Sequence, residues 1–324
     1  MHLIKSLIAV LLIAHSLTVP AQSFEPFKFV ALGDMPYNIP ADYVRYERLI
    51  SQINRSQPSF SIFIGDTKSG STECSDANNQ ITKAYFNQFN APLIYSIGDN
   101  EWTDCHRPLA GSYDPIERLQ ALRSLFFSTS KSLGKQSLDL IRQSDIDPKH
   151  KLYVENSYWV KNHFLFVNLH IPGSNNNFER DERSREEYRE RNSANLAWIK
   201  HLYSIAASEK YRGIIFAYQA DMFYTASQAT DINSGYKDTL LALSQGAIAL
   251  KKPVLLVHGD SHRLIIDQPL KAPDQKQILE NVLRLEVMGA EQVGAVEVLV
   301  DPKSQQPFSF KPILLRENMN LLKP

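Results

Sequence analysis

The sequence predicts an α/β fold with parallel strands, and three apolar runs carry that prediction. FKFVALGD (27–34), FSIFIGD (60–66) and LIYSIGD (93–99) each end abruptly in Gly-Asp. Between the first two, Tyr46, Leu49, Ile50 and Ile53 share one face of a helix predicted over 43–54, and a second helical stretch near 81–89 precedes the third run. Strand, helix, strand, helix, strand in this order calls for crossover connections, which join parallel strands.

The remaining elements follow from local chemistry. Asp114-Pro115-Ile116-Glu117 combines an N-cap residue with Pro at the first helical position, so a helix starts there with Ile116, Leu119, Leu122 and Phe126 inward. Tyr158 to Lys161 and Phe164 to Leu169 flank Asn162-His163 as the arms of a hairpin. Glu179 to Arg191 carries six acids and five bases in thirteen residues, the pattern of a solvated helix start with local ion pairs. Residues 196–207 and 239–250 read as helices, and 213–218 and 254–257 as strands. In the last third, 263–267, 282–287 and 295–300 are short β runs without helices between them. They predict a second sheet packed on the first within one domain.

Composition narrows the function classes. The 324 residues are 43% hydrophobic and 22% charged, as in a globular protein, and Lys plus Arg equal Asp plus Glu at 35 each. No basic excess exists to hold a nucleic-acid backbone, so nucleic acid is not an expected partner. The first 21 residues have a basic start at Lys5, an apolar stretch from Leu7 to Ala14 and the small-residue site Val19-Pro20-Ala21. They read as a secretory signal peptide, with a single domain over 22–324 and a periplasmic or secreted location. No later segment is apolar for long enough to span a membrane, so no span is expected after signal removal. The two cysteines, Cys74 and Cys105, lack metal-ligand spacing, and export favours their pairing. A bridge between them closes a loop of about 32 residues, worth roughly 3 to 4 kcal/mol in the chain-entropy model.

A fourth apolar run, VLLVHGD (254–260), also ends in Gly-Asp, and His262 follows two residues later. One such junction is ordinary turn chemistry. Four are a different matter, because ligand sites in α/β sheets form at the carboxyl ends of strands, where Asp34, Asp66, Asp99 and Asp260 would converge. Four buried carboxylates repel unless a cation sits among them. Oxygen donors with one imidazole suit a divalent ion, one or two of them, drawn from Mn, Mg, Fe, Ca or Zn, rather than a thiolate-type site.

At these residues the chain resembles the calcineurin-like metallophosphoesterases, and more closely an exported bacterial branch of them, through GDMPY (33–37), GDTKSG (65–70), GDNEWTDCHR (98–107) and HGDSH (258–262). The resemblance runs in motif order from about Phe27 to Leu264. It implies a four-layer αββα sandwich of two packed mixed β-sheets flanked by helices, and metal-dependent hydrolysis of a small phosphorylated substrate. Asp34 matches the aspartate of the first metal, Asp66 the carboxylate that bridges two metals, and His262 the final histidine. Asp99 stands where the family has a ligand Asn, and Asp260 where it has the first His of Gly-His-x-His. Gln219, in IIFAYQAD, is the best match to a lone ligand His. Pro36 replaces the first motif's His and offers no donor atom, which leaves Tyr37 as a candidate ligand. Asn100 occupies the place of the His that serves the leaving group, and Asn cannot deliver a proton.

Candidates for that missing acid are His106, His170 and His258, with His106 foremost because it shares a loop with Asp99. Lys68 and Arg107 are candidates for holding a phosphate oxygen. The expected activity is hydrolysis of phosphomonoesters or phosphodiesters by metal-activated water. The alternative is a degenerate fold that binds a metal or a phosphorylated ligand in the cell envelope without turnover, and Pro36, Gln219 and Asn100 favour it. Gly259-Asp260-Ser261 superficially matches a serine-esterase block, but it lies late in the chain with only His262 after it, so the order is wrong. The motifs specify neither substrate nor oligomeric state.

Overall fold

A computed structural model describes residues 24–224, 231 and 233–319, so the signal-peptide reading of 1–21 lies outside the described residues. Among the described residues, twelve strands form two sheets. The first has the order β12 (Phe308–Ile313), β11 (Ala295–Val300), β1 (Phe27–Leu32), β2 (Ser61–Phe63), β3 (Leu93–Tyr95). The second runs β4 (Ile141–Arg142), β5 (Ser157–Lys161), β6 (Phe164–Asn168), β7 (Gly213–Ala217), β8 (Val254–His258), β10 (Val282–Glu286), β9 (Ile265–Asp267). Both are mixed. β1, β2 and β3 are parallel, as their helical crossovers require, and so are β6, β7, β8 and β10.

Alternation along the strands sorts side chains into three apolar layers. Phe29, Phe60, Phe166, Leu255 and Val298 meet between the sheets, where the rings of Phe29 and Phe60 stack at 5.4 Å and Phe166 meets Phe29 edge-on at 5.4 Å. Such aromatic pairs add about 0.5–1.5 kcal/mol each beyond the area they bury. The helices Ala41–Ser56 and Pro115–Phe126 cover the outer face of the first sheet through Tyr46, Leu49, Leu119 and Leu122. The helices Glu182–Ala206 and Lys237–Leu250 cover the second through Trp198, Leu202, Leu240 and Leu243. The result is the αββα sandwich.

Local expectations hold at the caps and the hairpin. Asp114 accepts the Ile116 amide at 2.9 Å, and β5 pairs antiparallel with β6. Two expectations need correction. The last strands do not build a sheet of their own: β9 and β10 edge the second sheet, while β11 returns to pair antiparallel with β1. An antiparallel partner far along the chain leaves no mark in local periodicity. Nor is the charged stretch wholly solvated. It opens a single 25-residue helix capped by Asp181, and its last member, Arg191, is fully buried. That guanidinium pairs with Glu187 at 2.7 Å and donates to the His170 and Asn176 carbonyls, pinning the loop after β6.

Candidate metal centre

The carboxyl ends of β1, β2 and β3 face those of β6, β7 and β8 across the seam between the sheets. Asp34, Asp66 and Asp99 follow the first three strands, and Asp260 and His262 follow β8. Asp34, Asp66, Asp260 and His262 have φ of 53°, 55°, 80° and 60°. Left-handed backbone is uncommon for residues with a Cβ and concentrates at functional sites. The Gly before each Asp has a packing cause. A Cβ on Gly65 would lie 2.7 Å from the Gly98 amide nitrogen, one on Gly98 would overlap the Asp66 carboxylate, and one on Gly259 would overlap that of Asp34. Gly65, Gly98 and Gly259 are glycine because another junction's aspartate or backbone presses against each, while a Cβ on Gly33 would meet Ile64 Cβ at 3.2 Å.

The carboxylates converge. Asp34, Asp66 and His262 bring one ligand atom each within 4.8 Å of one another, and so do Asp66, Asp99 and Asp260. Asp66 belongs to both groups, the position of a carboxylate between two ions. Tyr37 stands among the first group: its hydroxyl donates to Asp66 Oδ2 at 2.7 Å and lies 3.2 Å from His262 Nε2. Asn100 Nδ2 donates to Asp66 Oδ2 at 2.7 Å and to the Tyr37 hydroxyl at 3.0 Å. Gln219 Nε2 spans the second group, 3.1 Å from Asp99 Oδ1 and 3.2 Å from Asp260 Oδ1, and its Oε1 accepts the Gly173 amide. Gln219 therefore presents its N–H side to the carboxylates. It orders them, and would ligate only after an amide flip.

The electrostatics suit a cation. Burial, then repulsion from Asp260, pushes Asp34 well above the usual carboxylate range; burial and then Asp99 do the same for Asp66. Asp260 is pushed up to about 8 by burial and then Asp99. Burial and the Asp66 charge raise the Tyr37 phenol well above its ordinary value, so it is protonated here. One ammonium is near, and it is committed: Lys68 Nζ donates to the Asn100 carbonyl at 2.6 Å, and burial lowers its pKa. Glu101, in the same loop, accepts the Thr67 amide and the Tyr95 hydroxyl through Oε1, while its buried Oε2 has no partner. A donor set of four carboxylates and one imidazole with so little compensation fits one or two divalent ions.

Other sequence candidates are engaged with partners of their own. The exposed His106 turns its Nδ1 to the Thr103 carbonyl at 2.8 Å, and Arg107 pairs with Asp104 at 2.8 Å. Buried His170 is hydrogen-bonded to Glu155 at 2.8 Å, which in turn pairs with Arg123. Cys74 and Cys105 form a disulfide that ties the loop after β2 to the loop after β3. Sequence reasoning missed Ser174 and Asp104: the Ser174 hydroxyl lies 2.8 Å from both Asp99 Oδ2 and Asp104 Oδ1. The Asp104 signal stood in plain view in GDNEWTDCHR, whereas Ser174 has no motif around it. A cleft of about 560 Å³ opens beside Asp260, lined also by Ser174, Glu179, Tyr224, Tyr236 and Ser261.

No family model matches the sequence, and no curated protein matches it. Solved structures do. A dimetal phosphatase from Danio rerio is 11% identical, with 89% of this chain covering 98% of that one at a TM-score of 0.53. The fold is that of a metallophosphatase. Two further comparisons are weaker. GAP50, the anchor in the inner membrane complex of Plasmodium, is 10% identical over 90% of this chain and 89% of its own, with a TM-score of 0.49. A purple acid phosphatase from yellow lupin (Lupinus luteus) seeds is 12% identical over 91% of this chain and 55% of its own, with a TM-score of 0.45. Among the described residues no helix is long and apolar enough to cross a membrane.

Proposed function

We propose that the protein is a metal-dependent hydrolase of phosphomonoesters or phosphodiesters. The observation that carries this reading is the pair of ligand groups joined through Asp66 at the meeting of the two sheets. Asp34, Asp66 and His262 would hold one ion, with Tyr37 beside it, and Asp66, Asp99 and Asp260 the other. Bound there, ions supply an acidified water and neutralise charge on the phosphoryl oxygens. The chain's own part is to place the carboxylates. Asn100 and Tyr37 fix the orientation of Asp66, and Gln219 and Ser174 fix Asp99. The low-dielectric surroundings make the site costly to leave without cations.

A second reading has its own support. His262 is the single imidazole in either ligand group, and the Asn100 amide is spent on Asp66 and Tyr37. The residue in the place of the leaving-group His is thus an engaged Asn that cannot deliver a proton, which favours a fold that binds a metal or phosphorylated ligand in the cell envelope without turnover. Elemental analysis of protein purified without chelator, joined to turnover of aryl phosphates across Mn²⁺, Mg²⁺, Zn²⁺ and Fe, separates the two. Metal with turnover is expected. Metal without turnover leaves the second reading, and absence of metal removes the hydrolase reading and the metal-binding form of the second.

A further inference from the structure

A second cluster lies behind the HGDSH loop, on the helix-facing side of the second sheet. His258 and Glu286 are register partners on the adjacent parallel strands β8 and β10, so their side chains leave the sheet on the same face. Asp221 comes from the loop after β7, the other neighbour of β8. The three bring one ligand atom each within 4.8 Å of one another, and all three are buried.

The cluster's own hydrogen bonds leave it incomplete. His258 Nδ1 sits 2.9 Å from the Gly259 carbonyl, which places the proton on Nδ1 and the lone pair on Nε2. His258 Nε2 has no partner, and neither does Glu286 Oε2, although both residues are fully buried. Asp221 accepts the Phe223 amide at 3.0 Å and the Ser261 hydroxyl at 2.5 Å, which fixes its carboxylate without filling it. Tyr218 stacks on the His258 ring at 5.6 Å. A histidine whose second nitrogen donates to a carbonyl, with its ring held by packing, is oriented as metal-ligating histidines are.

Arg284 is the obvious competing counter-ion, and its geometry argues against that role. Its guanidinium is engaged with Asp267, at 2.7 and 2.6 Å, and its Nη1 stays 3.5 Å from Asp221 and 3.8 Å from Glu286. Three carboxylates thus share one guanidinium.

We propose that Asp221, His258 and Glu286 form a further metal site, separate from the Asp66 centre, which takes a divalent first-row cation such as Zn²⁺ or Mn²⁺. Two carboxylates and an imidazole are the donor set these ions accept, and the 2+ charge offsets the carboxylates that Arg284 leaves uncompensated. With the Nδ1 proton engaged at the Gly259 carbonyl, the unpartnered Nε2 is the atom that would ligate. Asp221 also lines the 560 Å³ cleft, which gives an ion a way in. The site acts on the catalytic loop through two contacts: the Asp221 amide donates to Asp260 Oδ2 at 3.0 Å, and the Ser261 hydroxyl donates to Asp221. An ion there clamps the 258–262 segment and holds Asp260 in place.

The test silences the first centre and counts what remains. The full-length variant Asp66→Asn/His262→Gln, loaded with Zn²⁺ or Mn²⁺ and dialysed, is expected to retain a single equivalent of ion. Adding Glu286→Gln or His258→Gln to it is expected to remove that equivalent. Retention of the ion after those additions overturns the proposal, and so does its absence from the first variant while circular dichroism shows a folded chain. Should the variants unfold, crystals of the wild type soaked in Mn²⁺ decide, with an anomalous peak expected among Asp221, His258 and Glu286. A map with peaks at the Asp66 centre alone overturns the proposal while leaving the hydrolase reading standing.

Discussion

The two clusters flanking residues 258–262 are built from similar side chains and differ in how they are assembled. The Asp66 centre draws its carboxylates from both sheets and lies where their strands end, with His262 about one-third exposed. The Asp221 cluster draws on three neighbouring strands of one sheet, with every member buried. Asp221 and Asp260 line the same cleft, whereas His258 and Glu286 are fully buried and are not part of its lining. Composition is therefore what supports metal binding at both clusters, and access is what supports reading one as the proposed reaction site and the other as the proposed clamp. Four left-handed residues and the interlocked glycines occur at the first. Of the second cluster's members, none has positive φ. Strain accumulates where geometry must be imposed from several directions, not wherever charge is buried.

The largest expected effect comes from Asp66, which belongs to both ligand groups of the first centre and to neither contact of the second. Asp66→Asn is expected to lower aryl phosphate turnover on the order of 10³-fold or more and to strip the first centre of metal. Glu286→Gln should lose metal from the second site alone. Equal turnover in Asp66→Asn and wild type, measured at matched metal content, would break the distinction between the clusters at its root.

Acid–base behaviour sharpens the contrast further. In metal-free protein the folded-state pKa of Asp34, Asp66 and Asp260 is raised, the last to about 8. The native state then binds more protons than the unfolded state above the unfolded value near 4, so stability falls as pH rises from there through about 8. Thermal melts of chelated protein between pH 5 and pH 8 are expected to drop by at least about 5 °C, and saturating Mn²⁺ should abolish the drop. Chelated protein whose melting temperature climbs over that range would mean that the carboxylates ionise freely without a cation.

How far each cluster was legible in the sequence follows from the same difference. Gly98 must be glycine because Asp66 lies against it, and Gly259 because Asp34 does, so convergence in space wrote a repeated Gly-Asp into the chain. The parallel strands β1, β2 and β3 were legible because a helix stands between each and the next. The second cluster left no such trace. Glu286 ends the run VLRLE with no glycine beside it, and Asp221 sits in IIFAYQAD two residues beyond the Gln that drew attention. Its members meet through strand register, and the pairing of β8 with β10 is decided by tertiary packing rather than by any short stretch. The partners of β11 and the burial of Arg191 were hidden for the same reason.

The glycine argument makes a prediction of its own. Gly98→Ala removes no ligand, yet its methyl group would overlap the Asp66 carboxylate and meet Glu101 Oε2 at 2.8 Å. A cost of about 1–3 kcal/mol in chemical denaturation is expected from the overpacking, with loss of metal from the first centre and retention at the second. An alanine variant that keeps both its metal and its stability would show that the junctions are looser than their contacts imply.

The smallest effect tests how finely the first centre is tuned from outside its ligands. Ser174 comes from the loop that Arg191 pins after β6, and its hydroxyl lies 2.8 Å from both Asp99 and Asp104. One proton can serve one carboxylate at a time, and burial with the Asp99 charge pushes Asp104 up to about 6. Below that value Asp104 carries its own proton and Ser174 is free to donate to Asp99; above it the two carboxylates compete for the hydroxyl. Ser174→Ala is expected to weaken metal binding about tenfold, as loss of an outer-shell partner does, with a stability cost of about 1 kcal/mol. Because an ion in the second site acts on Asp260 and not on Asp99, isothermal titration with Mn²⁺ should show this change in the first centre only. An equal weakening of both sites would place Ser174, and with it the loop after β6, in a role common to the whole strand-end surface.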